Sequence, residues 1–135
     1  MKSLFNTTWK SSKQPRKQRK FLANAPNHIK RKQLSVSLDK NLKKKYERRT
    51  IEVKKDDEVK IMRGKFNKKQ GKVLAVNVKY TKVQVEGIEI TKKNGEKTPV
   101  WMRPSNLKII KLDDTDKKRF KKASKVTKSV EEERK

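Results

Sequence analysis

Residues 57–76, DEVKIMRGKFNKKQGKVLAV, contain the pattern that decides the fold class. Val59 and Ile61 alternate with polar residues at period two, and a β-branched pattern returns after a lysine-rich stretch. Such alternation is typical of strands with one buried face. Gly64 and Gly71 bracket the lysine-rich stretch, which suggests backbone that bends sharply or approaches a partner closely. The segment therefore predicts two strands joined by a basic loop.

Further short segments of residues 50–112 have the same β-branched pattern. They are Ile51 with Val53, Val73 with Val76 and Val78, Val83 with Val85, Ile88 and Ile90, and residues 107–112. Asn94-Gly95 is the strongest hairpin signal in the chain. A sheet of about five short strands protects its edges best by curling into a barrel. We therefore predict a mainly β fold, with a small barrel of about five strands over residues 50–112.

The residues before the barrel divide into two regions. Residues 1–24 contain a dense basic block in which Pro15 obstructs a helix, so we expect a basic extended arm that is mobile when free. Residues 25–49 predict two short basic helices. The first starts near Pro26, and the second is capped by Ser37, with Leu38, Leu42 and Tyr46 on one face.

The residues after the barrel, 113–135, begin with acidic residues followed by a basic stretch. This order suits the dipole of a short helix. We expect a C-terminal helix and basic tail, partly disordered when the protein is free and disordered beyond about residue 124.

Composition excludes several classes of function. The chain has 135 residues, 41 Lys plus Arg against 15 Asp plus Glu, one histidine and no cysteine. These numbers leave no disulfide, thiolate metal site or cysteine nucleophile, and Asp56, Asp57 and Glu58 are adjacent in a predicted turn rather than opposed as a catalytic pair. The four glycines form no phosphate-binding motif, and no apolar run resembles a signal peptide or a membrane span. We expect no enzyme activity, cofactor, metal, small-molecule substrate or membrane partner.

The net charge of +26 points to a polyanionic partner. The excess is greatest in residues 1–50, whose only acidic residues are Asp39 and Glu47, but it continues through the barrel and the tail. A domain this basic has the electrostatic footprint of a nucleic-acid-binding protein. A solvated tail or a localisation signal is the alternative interpretation of the N-terminal charge. An anionic membrane surface or an acidic protein is the alternative to nucleic acid as the partner.

Several segments of the sequence together resemble a known family. Residues 57–76, followed by VQVEG at 83–87, resemble the KOW motif of an SH3-like barrel. The flanking segments SKQPRKQRK (12–20), NAPNHIKRK (24–32) and RPSN (103–106) are similar to the archaeal and eukaryotic form of the universal large-subunit ribosomal protein family L-twenty-four, called L-twenty-six in eukaryotes. The resemblance covers about residues 12–120.

The resemblance implies a place and a role. It implies a structural constituent of the large ribosomal subunit in the cytoplasm that binds large-subunit rRNA near its 5′ end, initiates assembly and lies near the polypeptide exit tunnel. Neighbouring large-subunit ribosomal proteins and exit-site factors are the implied protein partners. The alternative is a KOW-domain transcription elongation factor or another RNA-associated adaptor. An elongation factor should have a folded domain before its KOW barrel, whereas this chain has an arm and short helices.

The candidate rRNA-binding residues are mainly cations in the arm, the first helix and the glycine-bracketed loop. Lysines supply point charges, arginines can bind phosphates bidentately, and glycines let backbone N–H groups approach closely. The candidates are Lys13, Gln14, Arg16, Lys17, Arg19, Lys20, His28, Lys30, Arg31, Lys32, Arg63, Gly64, Lys65, Lys68, Lys69, Gly71, Lys72, Arg103, Ser105 and Asn106.

Four aromatic residues have two interpretations each. Trp9, Phe21 and Phe66 lie among basic residues, where an aromatic ring either stacks on an unpaired base or packs against protein. Trp101 lies in a strand pattern, which favours packing in the core or at the barrel rim.

Overall fold

The computed structural model of the protein describes residues 5–6, 11–113, 115–116 and 119–120. The predictions made for Trp9 and for the tail beyond residue 120 lie outside the described residues. Within the described part, no helix is long and apolar enough to cross a membrane. No group of three His, Asp or Glu side chains there could hold a metal ion.

The described chain contains three helices and seven strands. The helices are α1 (Pro15–Asn24), α2 (Asn27–Gln33) and α3 (Lys40–Tyr46), and a 3₁₀ turn spans Pro104–Asn106. The strands are β1 (Ser35–Leu38), β2 (Thr50–Glu52), β3 (Glu58–Ile61), β4 (Gln70–Asn77), β5 (Lys82–Thr91), β6 (Lys97–Met102) and β7 (Leu107–Lys111). They form one sheet in the order β2-β1-β7-β3-β4-β5-β6, in which only the β1–β7 pair is parallel.

The period-two pattern directs alternate side chains of the strands into one core. In β3 the buried residues are Val59 and Ile61, and in β5 Val83 and Val85 point the same way. These side chains cluster with buried residues of β1, β2, β4 and β7. The mainly β prediction is confirmed, and the sheet is consistent with a small barrel-like domain.

Residues 15–24 form a helix, so the prediction of an extended arm does not hold for this segment. Pro15 is the first residue of α1, where its missing N–H is not needed and its fixed φ suits the helix. No residue of α1 is buried, but Phe21 contacts Phe5 with ring centroids 4.9 Å apart. Lys30 of α2 donates a hydrogen bond from Nζ to the carbonyl of Ala23, at 3.1 Å.

The first short helix is confirmed as α2, whereas the prediction for the second helix is wrong at its start. Ser37 does not cap a helix, because it lies in β1 and pairs with Thr50 of β2 and Lys108 of β7. Leu38 is also in β1 and is completely buried. Leu38 has helical spacing with later apolar residues, but hydrogen bonds from β2 and β7, which are distant in sequence, place it in a strand.

The sheet has two strands more than the five expected. One is β1, and the other is β6, which pairs with β5 across the Asn94-Gly95 hairpin. Gly95 has φ +84°, as a tight hairpin turn requires. The hairpin prediction is therefore confirmed.

Candidate nucleic-acid interface

The basic segment between β3 and β4 is a closed, internally hydrogen-bonded loop. We call residues 62–69 the lysine loop. Ile61 N–H donates to Lys69 O and Lys68 N–H donates to Ile61 O, both at 2.9 Å, so the base of the loop is fixed. Gly64, at φ +95°, turns the chain and accepts a 3.0 Å hydrogen bond from Asn67 N–H. This loop holds its lysines on an ordered backbone rather than on a free coil.

Phe66 fastens the lysine loop to the domain. Its side chain is partly buried and packs against the hydrophobic core. The ammonium of Lys69 lies 5.6 Å from the centre of the Phe66 ring, within range of a cation–π contact. Of the two interpretations of Phe66, the structure thus shows packing against protein.

The turn at residues 103–106 lies beside the lysine loop. Met62 N–H donates to Asn106 O at 2.8 Å, and Asn106 N–H donates to Arg103 O at 3.0 Å. The contact follows from the pairing of β3 with β7, which sets Ile61 opposite Leu107. Two segments that are about 40 residues apart in sequence are therefore joined into one surface, as shown by the Met62–Asn106 bond.

The cations of this surface are accessible to a partner. The exposed candidates on the loop, its exit and the turn are Arg63, Gly64, Lys65, Lys68, Lys69, Lys72, Arg103 and Ser105. Asn106 is partly buried. An exposed set of cations on a fixed backbone can bind phosphates without first ordering the chain.

Gly71 has an internal reason to be glycine. It lies in β4 opposite Val59, and a Cβ added there would lie 2.6 Å from the backbone oxygen of Glu86. The expected close approach of backbone therefore occurs, and the neighbour is β5 of the same domain.

The other candidates lie on or beside the helices. Apart from Lys30, all the candidates of this group are exposed: Lys13, Gln14, Arg16, Lys17, Arg19, Lys20, His28, Arg31 and Lys32. Lys30 is partly buried and is bonded to Ala23, so part of its role is to join α2 to α1. Leu34, which follows α2, accepts a 3.2 Å hydrogen bond from Val53 N–H. The helix group is thus anchored beside β2, whereas the lysine loop lies between β3 and β4.

Of the two placements expected for Trp101, the structure excludes the core and leaves the barrel rim. The side chain of Trp101 in β6 is 41% exposed rather than packed in the core. Lys82 and Gln84, on the neighbouring strand β5, were not among the candidates. Alternation along β5 could have identified them, because Val83 and Val85 face the core and their neighbours must face outward.

A family match covers the helices and the sheet together. Residues 12–125 match the sequence profile of a family of ribosomal proteins, described as L-twenty-six in eukaryotes and L-twenty-four in archaea. The chain belongs to this ribosomal protein family. The match begins before α1 and extends past β7, so it is not confined to the KOW segment. The chain is therefore a large-subunit ribosomal protein that acts in translation, and the family assignment favours this interpretation over a transcription elongation factor.

Proposed function

We propose that this ribosomal protein binds large-subunit rRNA near its 5′ end, and that this binding helps to initiate assembly of the subunit. In the same proposal the protein lies near the polypeptide exit tunnel, beside other large-subunit proteins and accessible to exit-site factors. Membership of the ribosomal family supports the proposal, as does the large positive charge.

The observation that carries the proposal is the junction of the lysine loop with the 103–106 turn. The Met62–Asn106 hydrogen bond holds the two segments together, and exposed cations lie on both sides of it. Helices of rRNA present phosphates and 2′-hydroxyls on a wide minor groove, while their deep major groove excludes side chains. A rigid cationic surface suits recognition of such a shape.

The helix group adds a second basic surface to the same domain. Arg16 and Arg19 are exposed and can each form two hydrogen bonds with a phosphate. Because α1 and α2 are joined by the Lys30–Ala23 hydrogen bond, both helices can contact the same bound RNA. We assign no reaction to these residues, since the family is one of structural ribosomal proteins.

The test compares two triple variants of the full chain. In the site variant Lys65, Lys68 and Lys69 are replaced by Gln. In the control variant Lys44, Lys93 and Lys97, which are also exposed lysines but lie outside the candidate set, are replaced by Gln. Both variants lose the same net charge, so a difference between them reports position rather than total charge.

Binding is measured to a transcript of the 5′ domain of large-subunit rRNA over a range of salt concentrations. Each phosphate contact contributes about 0.9 to the slope of log K against log salt in duplexes, so the site variant should lose about two to three from the slope. The control variant should keep the slope of the unaltered chain. Equal losses in both variants, or equal affinity for a transcript of the 3′ domain, would contradict the proposal.

The proposed roles in assembly and at the tunnel need separate readouts. Depletion of the protein should cause early large-subunit precursors to accumulate while the small subunit still assembles. A crosslinker placed at residue 93, on the exposed β5–β6 hairpin, should capture emerging nascent chains on translating ribosomes. Accumulation of late precursors instead would contradict the role in assembly. Crosslinks found only at the subunit interface would contradict the position near the tunnel.

A further inference from the structure

Outward-facing side chains on β4 and β5 and at the end of β6 surround Trp101. We call this set the grid, and its members are Ala75, Asn77, Lys82, Gln84, Trp101 and Arg103. Gln84 of β5 lies opposite Trp101 of β6 on one side and opposite Ala75 of β4 on the other. The three residues therefore form one row across three strands. Val83 and Val85 on either side of Gln84 are buried, so this row faces away from the core.

A second, basic row runs beside the first. Lys82 lies opposite Asn77 of β4. The β5–β6 register, which sets Val83 opposite Met102, brings Arg103 opposite Lys82 when it is continued by one residue. Arg103 keeps an extended backbone, with φ −80° and ψ 141°, so its exposed side chain lies on the same face as that of Trp101.

The grid combines the groups that bind an unpaired nucleotide. An exposed indole can stack on any nucleobase, because every base has a π face. The Gln84 amide beside it has donors and an acceptor for a base edge, and Lys82 with Arg103 can contact the adjoining phosphates. Glu86, the next outward residue of β5 beyond Gln84, lies on the side away from Lys82. The carboxylate of Glu86 repels phosphates, whereas Lys82 and Arg103 attract them. The phosphates of a bound nucleotide should therefore lie near Lys82 and Arg103, with the base on Trp101.

The grid is continuous with the lysine loop. Arg103 immediately precedes the turn in which Asn106 accepts the hydrogen bond from Met62. An RNA strand bound by the loop can therefore pass over the turn onto the outer face of β5 and β6.

We propose that the outer face formed by Ala75, Asn77, Lys82, Gln84, Trp101 and Arg103 is a binding site for an unpaired nucleotide, with Trp101 stacking on its base. The proposal rests on the proposed rRNA binding and adds to it a site selective for single-stranded RNA. Double-stranded RNA keeps its bases stacked within the helix and cannot offer one to Trp101.

The experiment uses Trp101 as its own probe. The full chain has two tryptophans, so Trp9→Phe leaves Trp101 as the only indole. A short oligouridylate should quench the Trp101 fluorescence, whereas a duplex RNA of equal length should not. Because this measurement requires no change at Trp101, it does not depend on how well a Trp101 variant folds.

Substitutions then measure the contribution of the ring. Trp101→Ala should weaken oligouridylate binding about tenfold without changing the salt slope, because stacking releases no counterions. Trp101→Phe should restore most of the affinity. Tyr80→Ala is the matched control, since Tyr80 is a more exposed aromatic residue outside the grid and should leave the affinity unchanged.

The outcomes separate the two proposals. Unaltered fluorescence together with unaltered affinity of Trp101→Ala, in a chain that still binds the 5′-domain transcript, would overturn the nucleotide site alone and indicate a protein neighbour on this face. Absence of binding to the 5′-domain transcript would overturn the proposed function.

Discussion

Arg119 donates hydrogen bonds from Nη1 and Nη2 to the two carboxylate oxygens of Asp57, at 2.8 and 2.6 Å, and the Asp57 side chain has no exposed surface. The same carboxylate accepts bonds from the N–H groups of Lys54 and Asp113. Arg119 also donates to the carbonyl of Glu52 at 2.6 Å. Arg119, which follows the last strand, is thereby fixed to the turn between β2 and β3.

Aromatic packing supports the same contact. The ring of Phe120 stacks on Tyr46 at the end of α3, with centroids 4.8 Å apart and an angle of 20° between the planes. Arg48 adds a 3.3 Å bond to the carbonyl of Arg119. The described residues at 119 and 120 thus belong to the folded domain.

Arg119→Met should destabilise the domain by about 3 to 5 kcal/mol, because it leaves a buried carboxylate without its counter-ion. Urea denaturation of the full chain measures the free energy of unfolding. Lys92→Met is the control, since Lys92 pairs with Glu96 at an exposed site and its loss should cost less than about 1 kcal/mol. Equal midpoints for the two variants would show that the Asp57 contact does not stabilise the fold.

Gly71→Ala should destabilise the domain by about 1 to 3 kcal/mol, because the new methyl group would overlap the backbone oxygen of Glu86 and force β4 and β5 apart. Thermal unfolding followed by circular dichroism gives the change. The neighbouring substitution Gln70→Ala, at an exposed position, should have little effect. A Gly71→Ala protein as stable as the unaltered chain would contradict the observed strand spacing.

Acid should weaken the contact between β7 and the start of α3. The hydrogen bond from Lys108, whose Nζ lies 2.6 Å from Asp39 Oδ1, lowers the pKa of Asp39 below its ordinary value of 3.8. A lowered folded-state pKa stabilises the protein above the unfolded-state pKa, and this stabilisation is lost as the pH falls from about 3.8 through the folded value.

The Lys108→Met variant should therefore show a flatter loss of stability below pH 3.8 than the unaltered chain, as measured by urea denaturation across that range. Lys111→Met, in the same strand but 74% exposed, is the control and should keep the steeper loss. Parallel curves for the unaltered chain and Lys108→Met would exclude the pair as a source of acid sensitivity.

Removal of residues 1–24 should leave the barrel folded, because no residue of α1 is buried. Binding to rRNA should weaken, and its salt dependence should flatten by about 0.9 for each phosphate contact that is lost. Fluorescence titration over a range of salt concentrations measures both effects. Unfolding of the truncated chain would show that α1 is needed for the fold and not only for binding.

The sequence predicts the strands whose signal is local. In β3 and β5 the alternation of residues such as Val59 and Val83 with polar neighbours identifies both the strand and its buried face. Asn94-Gly95 likewise identifies a turn from two residues alone. These features need no information about distant partners.

The features that sequence reasoning missed depend on such partners. Ser37 and Leu38 have helical spacing with later residues, but β1 forms because β2 and β7 supply its hydrogen bonds. The ion pair between Asp57 and Arg119 joins residues 62 positions apart, and neither residue has a local signal for burial. Pro15 was expected to obstruct a helix, but it is the first residue of one. The proline alone does not reveal that position.

For the candidate site, composition predicts its charge but not its shape. The lysines at 65, 68 and 69 are recognisable as a basic loop, and the structure keeps all three exposed. The junction with the 103–106 turn requires the β3–β7 register, which the sequence does not give. The outward face around Trp101 requires the register of three strands, so its basic row could not be assembled from local patterns.

The most direct test of the central claim is sedimentation of a native lysate through sucrose gradients at low and high salt, with this chain followed by mass spectrometry. We predict that the chain sediments with the large subunit and remains there through the high-salt wash, as expected for a protein held to rRNA by many contacts. Migration at the top of the gradient, with the small subunit or with RNA polymerase would contradict it.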